Sequence, residues 1–137
     1  MRIVLDTNVL ISALITDGRS RELVRSLLKS SHALLLSEPI LDEFLRISSE
    51  DRLKRYVDDE ELTLFLTALL SRASFVRIQS KFRVLNNADD MILRTAIDGS
   101  AALIVSGDTH LLNLKQFRGT KIVTVAWTLE TLKRSNS

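Results

Sequence analysis

The 137-residue sequence has no cysteine, one proline, two histidines and four glycines. Without cysteine there are no disulfides, no thiol nucleophile and no cysteine-bound zinc, a composition that suits a reducing compartment. With a single proline and nearly half its residues hydrophobic the chain reads as a compact globular domain, and no linker, low-complexity tract or internal repeat is found along it. Residues 1–137 are therefore expected to form a single domain, long enough to bury a proper core at 45% hydrophobic content. No apolar run approaches the length of a membrane span, and the N-terminus lacks the basic, apolar, small-residue pattern of a secretory signal. A cytoplasmic protein without a membrane partner is expected.

What is present starts with Arg2-Ile3-Val4-Leu5-Asp6-Thr7-Asn8. Three apolar residues of a buried strand run into an aspartate and then into two small polar residues suited to starting a helix. Asp6 is thus delivered to the tip of a strand. In open α/β sheets, ligands bind just beyond the carboxyl ends of the strands. Taken alone, such an aspartate is accounted for as a helix cap; other carboxylates reaching the same edge would change that.

Further along, Val9–Ile15 is expected to be a short helix ending at Thr16-Asp17-Gly18. A second helix from about Ser20 carries Leu23, Val24, Leu27 and Leu28 on one stripe, with Arg19, Arg21, Arg25 and Lys29 on a solvated face. Ala33–Leu36 reads as a strand buried on both sides. Ser37 and Pro39 open a helix whose core residues are Ile40, Leu41, Phe44, Leu45 and Ile47. Glu43 follows Ile40 by three and precedes Ile47 by four, so it shares their inward side, where an acid costs stability unless compensated. Asp42 points to solvent.

Asp58-Asp59-Glu60-Glu61 resembles a metal cluster but reads better as a capping box before a helix with core residues Leu62, Phe65, Leu66, Leu69 and Leu70. Phe75–Ile78 is an edge-strand candidate. Asn86-Asn87-Ala88-Asp89-Asp90 begins a helix with core face Ile92, Leu93, Ala96 and Ile97, ending at Gly99. Asp89 projects from the inward face of its first turn, while Asp90 can answer Asn87 as a reciprocal cap. Ala101–Val105 is the most apolar strand and leads through Ser106-Gly107 to Asp108. Ile122–Val125 is a last strand, before a closing helix or turn from Ala126 to Lys133 that contains Trp127.

Alternating strands and helices imply right-handed crossovers and a central, mainly parallel sheet of about five strands, with the helices that follow strands starting at one edge. Asp6, Glu43, Asp89 and Asp108 then converge there from four distant segments. Like charges in a small site raise one another's pKa, and a hard divalent cation relieves the conflict. Carboxylates suit Mg²⁺ or Mn²⁺, and the scarcity of histidine with the lack of cysteine argues against zinc. Phosphodiester hydrolysis is the natural reaction class. With Asp6, Glu43, Asp89, Asp90 and Asp108 set aside, 19 basic residues face 12 acids, an excess suited to a polyanion.

The runs Val4–Val9, Asp89–Ala96 and Val105–Asp108, with Glu43 between them, resemble the ordered motifs of PIN-domain nucleases, over Arg2 to about Val125. The chain is particularly similar to stand-alone prokaryotic PIN proteins classed as toxins of toxin–antitoxin systems. The resemblance implies a three-layer α/β/α sandwich and metal-dependent endonucleolytic cleavage of RNA. Its acidic quartet falls on Asp6, Glu43, Asp89 and Asp108, with Asp90 as the alternative to Asp89. Asn8 and Ser106 resemble the family's auxiliary polar residues, which orient the acids or a metal-associated water. An antitoxin partner and a homodimer are family-level implications.

Two rivals remain on the sequence. An aspartate-dependent phosphatase would use Asp6 as nucleophile but commonly wants a second acid two residues on, where this chain has Asn8. A scaffold that grips RNA or protein without cutting would not need so many costly carboxylates. His110 is expected to be a surface loop residue.

Overall fold

The computed structural model describes residues 1–135 and contains, among them, a six-stranded sheet and seven α-helices. The chain runs β1 (Arg2–Leu5), α1 (Thr7–Ile15), α2 (Arg19–Lys29), β2 (Ala33–Leu36), α3 (Glu38–Ser48), a 3₁₀ turn at Asp51–Leu53 and α4 (Asp59–Arg72). It continues with β3 (Ser74–Phe75), α5 (Asn87–Asp98), β4 (Leu103–Val105), α6 (Thr109–Leu112), β5 (Gln116–Phe117), β6 (Thr120–Val123) and α7 (Val125–Ser135).

The strand order is β3-β2-β1-β4-β6-β5, parallel throughout except for β5 against β6. Successive side chains of a strand point to opposite faces, yet Ile3, Val4 and Leu5, like Leu34–Leu36 and Leu103–Val105, are all buried. Helices therefore cover both faces, which is why these strands carry no polar alternation. Helix α5 packs along β1, β4 and β2; α1 packs on α2 and α3, and α2 on α7.

From β1 the chain crosses to β2 on one side, whereas β4 pairs with β1 on the other, with Leu5 beside Val105. The topological switch point is therefore the crevice between β1 and β4, where an open α/β sheet offers a ligand site. The backbone ladder extends one residue past the strands there. Asp6 N–H donates to the Val105 carbonyl (2.9 Å) and Ser106 N–H to that of Val123 (2.9 Å).

Several expectations are corrected in detail. The sheet has six strands rather than about five, because β5 and β6 form a hairpin across Arg118-Gly119, both at positive φ (47° and 91°). That pair of angles makes a primed turn, the kind that matches strand twist. Strand β3 is two residues long, and the last strand starts at Thr120 and ends at Val123. On α4 only Leu69 is buried; Leu70 is exposed, as is Leu45 on α3, so the apolar faces expected for both helices are only partly covered. Ser37 stands at the N-cap of α3, but its hydroxyl does not cap. It meets Thr95 Oγ1 at 2.7 Å, and since that hydroxyl donates to the Met91 carbonyl, Ser37 is the donor. Arg21, expected on the solvated face of α2, instead donates to the carbonyls of Ala13 and Leu14 at the end of α1 (2.8 Å each).

Between β3 and α5 the backbone from 76 to 86 forms no helix and pairs with β2 only at Val76, yet it is held closely. Asp98 Oδ2 accepts from Gln79 N–H (2.7 Å), Ser80 N–H (3.0 Å) and Ser80 Oγ (2.9 Å). Arg94 donates twice to the Phe82 carbonyl (3.0 and 2.5 Å), and Asp90 Oδ1 accepts from Val84 and Leu85 N–H (3.1 and 2.8 Å). These three side chains stand at i, i+4 and i+8 on one stripe of α5, which makes the segment a strap laced along that helix.

Candidate active site

Asp6 ends β1 as the N-cap of α1, its Oδ1 accepting from Asn8 N–H at 3.3 Å. Asp108 occupies the same place one strand over, capping α6 through His110 N–H at 2.8 Å. Between them lies Ser106, fully buried, whose hydroxyl donates to Asp6 Oδ2 (2.7 Å) and accepts from Asp108 N–H (2.9 Å). The capping account of these aspartates is therefore true and incomplete. Each turns one oxygen to its own helix, and Ser106 joins the two segments.

The third acid comes from α5. Its N-cap is Asn86, one residue earlier than the expected Asn87, and the reciprocal partner is Asp89 rather than Asp90. Asn86 Oδ1 accepts from Asp89 N–H (2.9 Å) while Asn86 Nδ2 donates to Asp89 Oδ2 (2.7 Å). Asp89 and Asp90 are both buried, but Asp90 Oδ1 is tied to the strap, so the neighbouring carboxylates do different work. Glu43, half-buried on α3, supplies the fourth acid; Asp42 is exposed, as expected. Asp58 and Glu61 make the expected capping box on α4.

Electrostatics show the four acids as one group. Burial raises the pKa of Asp6, opposed by the Ser106 hydrogen bond, and Asp108 raises it further. Burial likewise raises Glu43, with Asp6 and Asp89 adding to the effect and Arg46 opposing it. Asp89 is raised by burial and by Asp108 and Asp6, against the lowering effects of Asn86 and of His110. Asp6, Glu43 and Asp89 thus each feel at least one other acid of the set, and among the described residues no cation stands within ion-pair distance of any of the four. Thr7 Oγ1 is buried here with no hydrogen bond of proper geometry, although it is near enough to Glu43 to lower its pKa.

The donor set is all oxygen except for His110, and it holds more negative charge than its surroundings offset. That chemistry fits a hard divalent cation. As the side chains stand, no three carboxylates or imidazoles among the described residues close on a common point at metal-ligating distance. Asp6 and Asp89 each have one carboxylate oxygen engaged, by Ser106 and by Asn86. Asn8 is exposed beside Asp6. Gly107 has no positive φ, and a Cβ there would meet nothing within 4 Å, so the backbone at this position does not require glycine. His110 is exposed as expected, but it stands in the first turn of α6 rather than in a loop, near enough to Asp89 to lower its pKa.

Known proteins support the same architecture. The structure of VapBC2 from Rickettsia felis bound to a DNA fragment from their promoter matches over 90% of this chain and 98% of that chain, with a TM-score of 0.63 at 17% identity. A domain of a functionally unknown protein from Methanocaldococcus jannaschii matches over 88% of each chain, with a TM-score of 0.57 at 15% identity. In sequence, the uncharacterized protein MJ1680 of Methanocaldococcus jannaschii is 29% identical over 117 residues, 84% of this chain and 76% of that protein. Since the family model described as the PIN domain matches residues 2–110, which span all four acids, the chain belongs to the PIN domain family.

Proposed function

We propose that this protein is a metal-dependent endoribonuclease, with Asp6, Glu43, Asp89 and Asp108 as its acidic set and Mg²⁺ or Mn²⁺ as its cofactor. The observation that carries the reading is that four acids from four segments lie near enough at the sheet's switch point for Asp6, Glu43 and Asp89 each to be raised by at least one of the others. When bound, the cation supplies Lewis-acid stabilisation of the charge that develops on the phosphate during hydrolysis. The protein's own groups orient the acids: Ser106 holds Asp6, Asn86 holds Asp89, and the helix start at His110 holds Asp108. Asn8, exposed at the rim, is placed to contact the substrate or an ordered water.

Asp90 belongs to the strap in this reading, and Asp89 is the third acid. The likeness to a VapBC2 structure supports a toxin role with an antitoxin protein as partner. A second reading, an RNA-binding scaffold that does not cut, is favoured by one observation: the acids do not close on a common point as they stand.

The test is cleavage of mixed structured and single-stranded RNAs by purified protein in Mg²⁺, Mn²⁺ or EDTA. Cleavage is expected with either metal and not in EDTA, with Asp6→Asn and Asp108→Asn each lowering the rate by more than about 100-fold. Unchanged rates in both variants would sink the nuclease reading, and RNA binding without metal binding would establish the scaffold.

A further inference from the structure

Two strands along from Asp6, a cleft of about 290 Å³ is lined by Lys115, Gln116, Lys121, Val123 and Trp127. The nuclease reading uses none of them. Lys121 and Val123 share one face of β6, Gln116 stands directly across from Lys121 on β5, and Trp127 comes from the first turn of α7. The Lys121 ammonium lies 5.5 Å from the centroid of the Trp127 ring, and the indole is 40% exposed. Neither Lys115 nor Lys121 has an acidic partner among the described residues. Lys115 also holds a left-handed backbone (φ 63°), uncommon for a residue other than glycine.

From these positions we infer that the cleft is a subsite for single-stranded nucleic acid, with one base stacked on Trp127 and the flanking phosphates held by Lys115 and Lys121. A base offers a π-face to an indole whatever its identity, and lysines beside the ring neutralise the backbone that the base belongs to. An extended strand can connect this cleft to the acids. Val123 pairs with Val105, whose neighbour Ser106 bonds Asp6, so about two strand spacings, roughly 10 Å, separate the end of β6 from the end of β1. The duplex form is disfavoured because its bases are already stacked and unavailable to the ring.

The inference takes its ligand class from the nuclease reading, but its test does not need cleavage. Trp127 is the chain's single tryptophan, so fluorescence excited selectively at tryptophan reports this cleft alone. Titrating the protein in EDTA with a short single-stranded RNA is expected to quench that fluorescence saturably, and the matching duplex to bind more weakly. Trp127→Ala is expected to weaken binding on the order of tenfold, measured with labelled RNA, while Trp127→Phe, which keeps a ring, stays close to wild type. Lys115→Ala and Lys121→Ala should each flatten the salt dependence of log K by roughly 0.7. RNA binding without quenching, or with wild-type affinity in Trp127→Ala and Lys121→Ala, overturns the subsite. So does quenching by an acidic polypeptide that RNA does not displace, which would assign the cleft to a protein partner. Quenching by RNA with no cleavage in Mg²⁺ or Mn²⁺ would keep the subsite and sink the nuclease, and Asp6-dependent cleavage with a silent Trp127 would do the reverse.

Discussion

Ser106 joins two acids through a single hydroxyl, donating to Asp6 Oδ2 and accepting from Asp108 N–H. Burial pushes the Asp6 carboxyl up, and the Ser106 bond is the largest influence holding it down. Ser106→Ala removes that restraint, so Asp6 should take up its proton at a higher pH. The acid limb of the cleavage-rate profile is then expected to move upward in pH, with little change on the plateau above it; a limb that stays in place would show that Asp6 ionisation does not set it. Asp6 and Asp108 were legible from the sequence because each follows an uninterrupted apolar strand, a local pattern. The partner of Asp89 was not. Asn86 and Asn87 are equally good caps by residue type; the cap at Asn86 goes with the bonds from Val84 and Leu85 N–H to Asp90, which no periodic pattern signals.

At the scale of an element, α5 does more than fill the core. Its stripe of Asp90, Arg94 and Asp98 binds the strap, and the strap ends at Asn86, which orients Asp89. Phe82 extends the attachment to the hairpin, packing against Phe117 (centroids 5.1 Å apart) beneath the Arg118 guanidinium. Asp90→Ala strands two backbone N–H groups of the strap and is expected to cost about 2 kcal/mol or more, read from urea melts. It should also open 77–85 to proteolysis and lower cleavage through Asp89. If Asp90 were instead the third acid, Asp90→Asn, which keeps an acceptor for the strap, would abolish cleavage while leaving the melt near wild type.

The other end of α5 is just as constrained. A Cβ on Gly99 would lie 2.7 Å from Val76 Cγ2, 2.8 Å from Leu35 Cδ1 and 2.9 Å from the Thr95 carbonyl oxygen. Gly99→Ala is therefore expected to destabilise by roughly 1–3 kcal/mol through overpacking, whereas Gly107→Ala, in open space, should leave the melt unchanged. The helices could be read from periodicity and the central strands from uninterrupted apolar runs. The strap, the β5–β6 hairpin and the exposed side of α4 could not, because what decides them is which distant segment lies alongside.

For the whole molecule, the acidic group sets a conflict between stability and function that a cation should resolve. Asp6, Glu43 and Asp89 all have folded pKa values above their ordinary ones, so over that interval the folded state binds more protons than the unfolded state. Stability therefore falls as pH rises from about 4 through the raised values. Two groups work the other way. Burial and the N-terminal ammonium lower His32, whose contribution grows as pH rises toward its ordinary value. At Asp98, burial is outweighed by the bonds from Ser80 and Gln79, and its contribution is lost only as pH falls through its lowered value. Both are common to wild type and Asp6→Asn, so the difference between the two proteins isolates the site. In EDTA, Asp6→Asn should melt above wild type at neutral pH and approach it as pH falls toward 4. Mg²⁺ or Mn²⁺ at about a hundredfold excess over Kd should raise the wild-type melting temperature by roughly 10 °C at neutral pH, less in acid, and far less in Asp6→Asn. An equal rise in both proteins would place the cation elsewhere on the surface. No rise in either, beside an intact EDTA difference, would mean that the acids repel one another without a metal to reconcile them, and the scaffold would then be the better account of the fold.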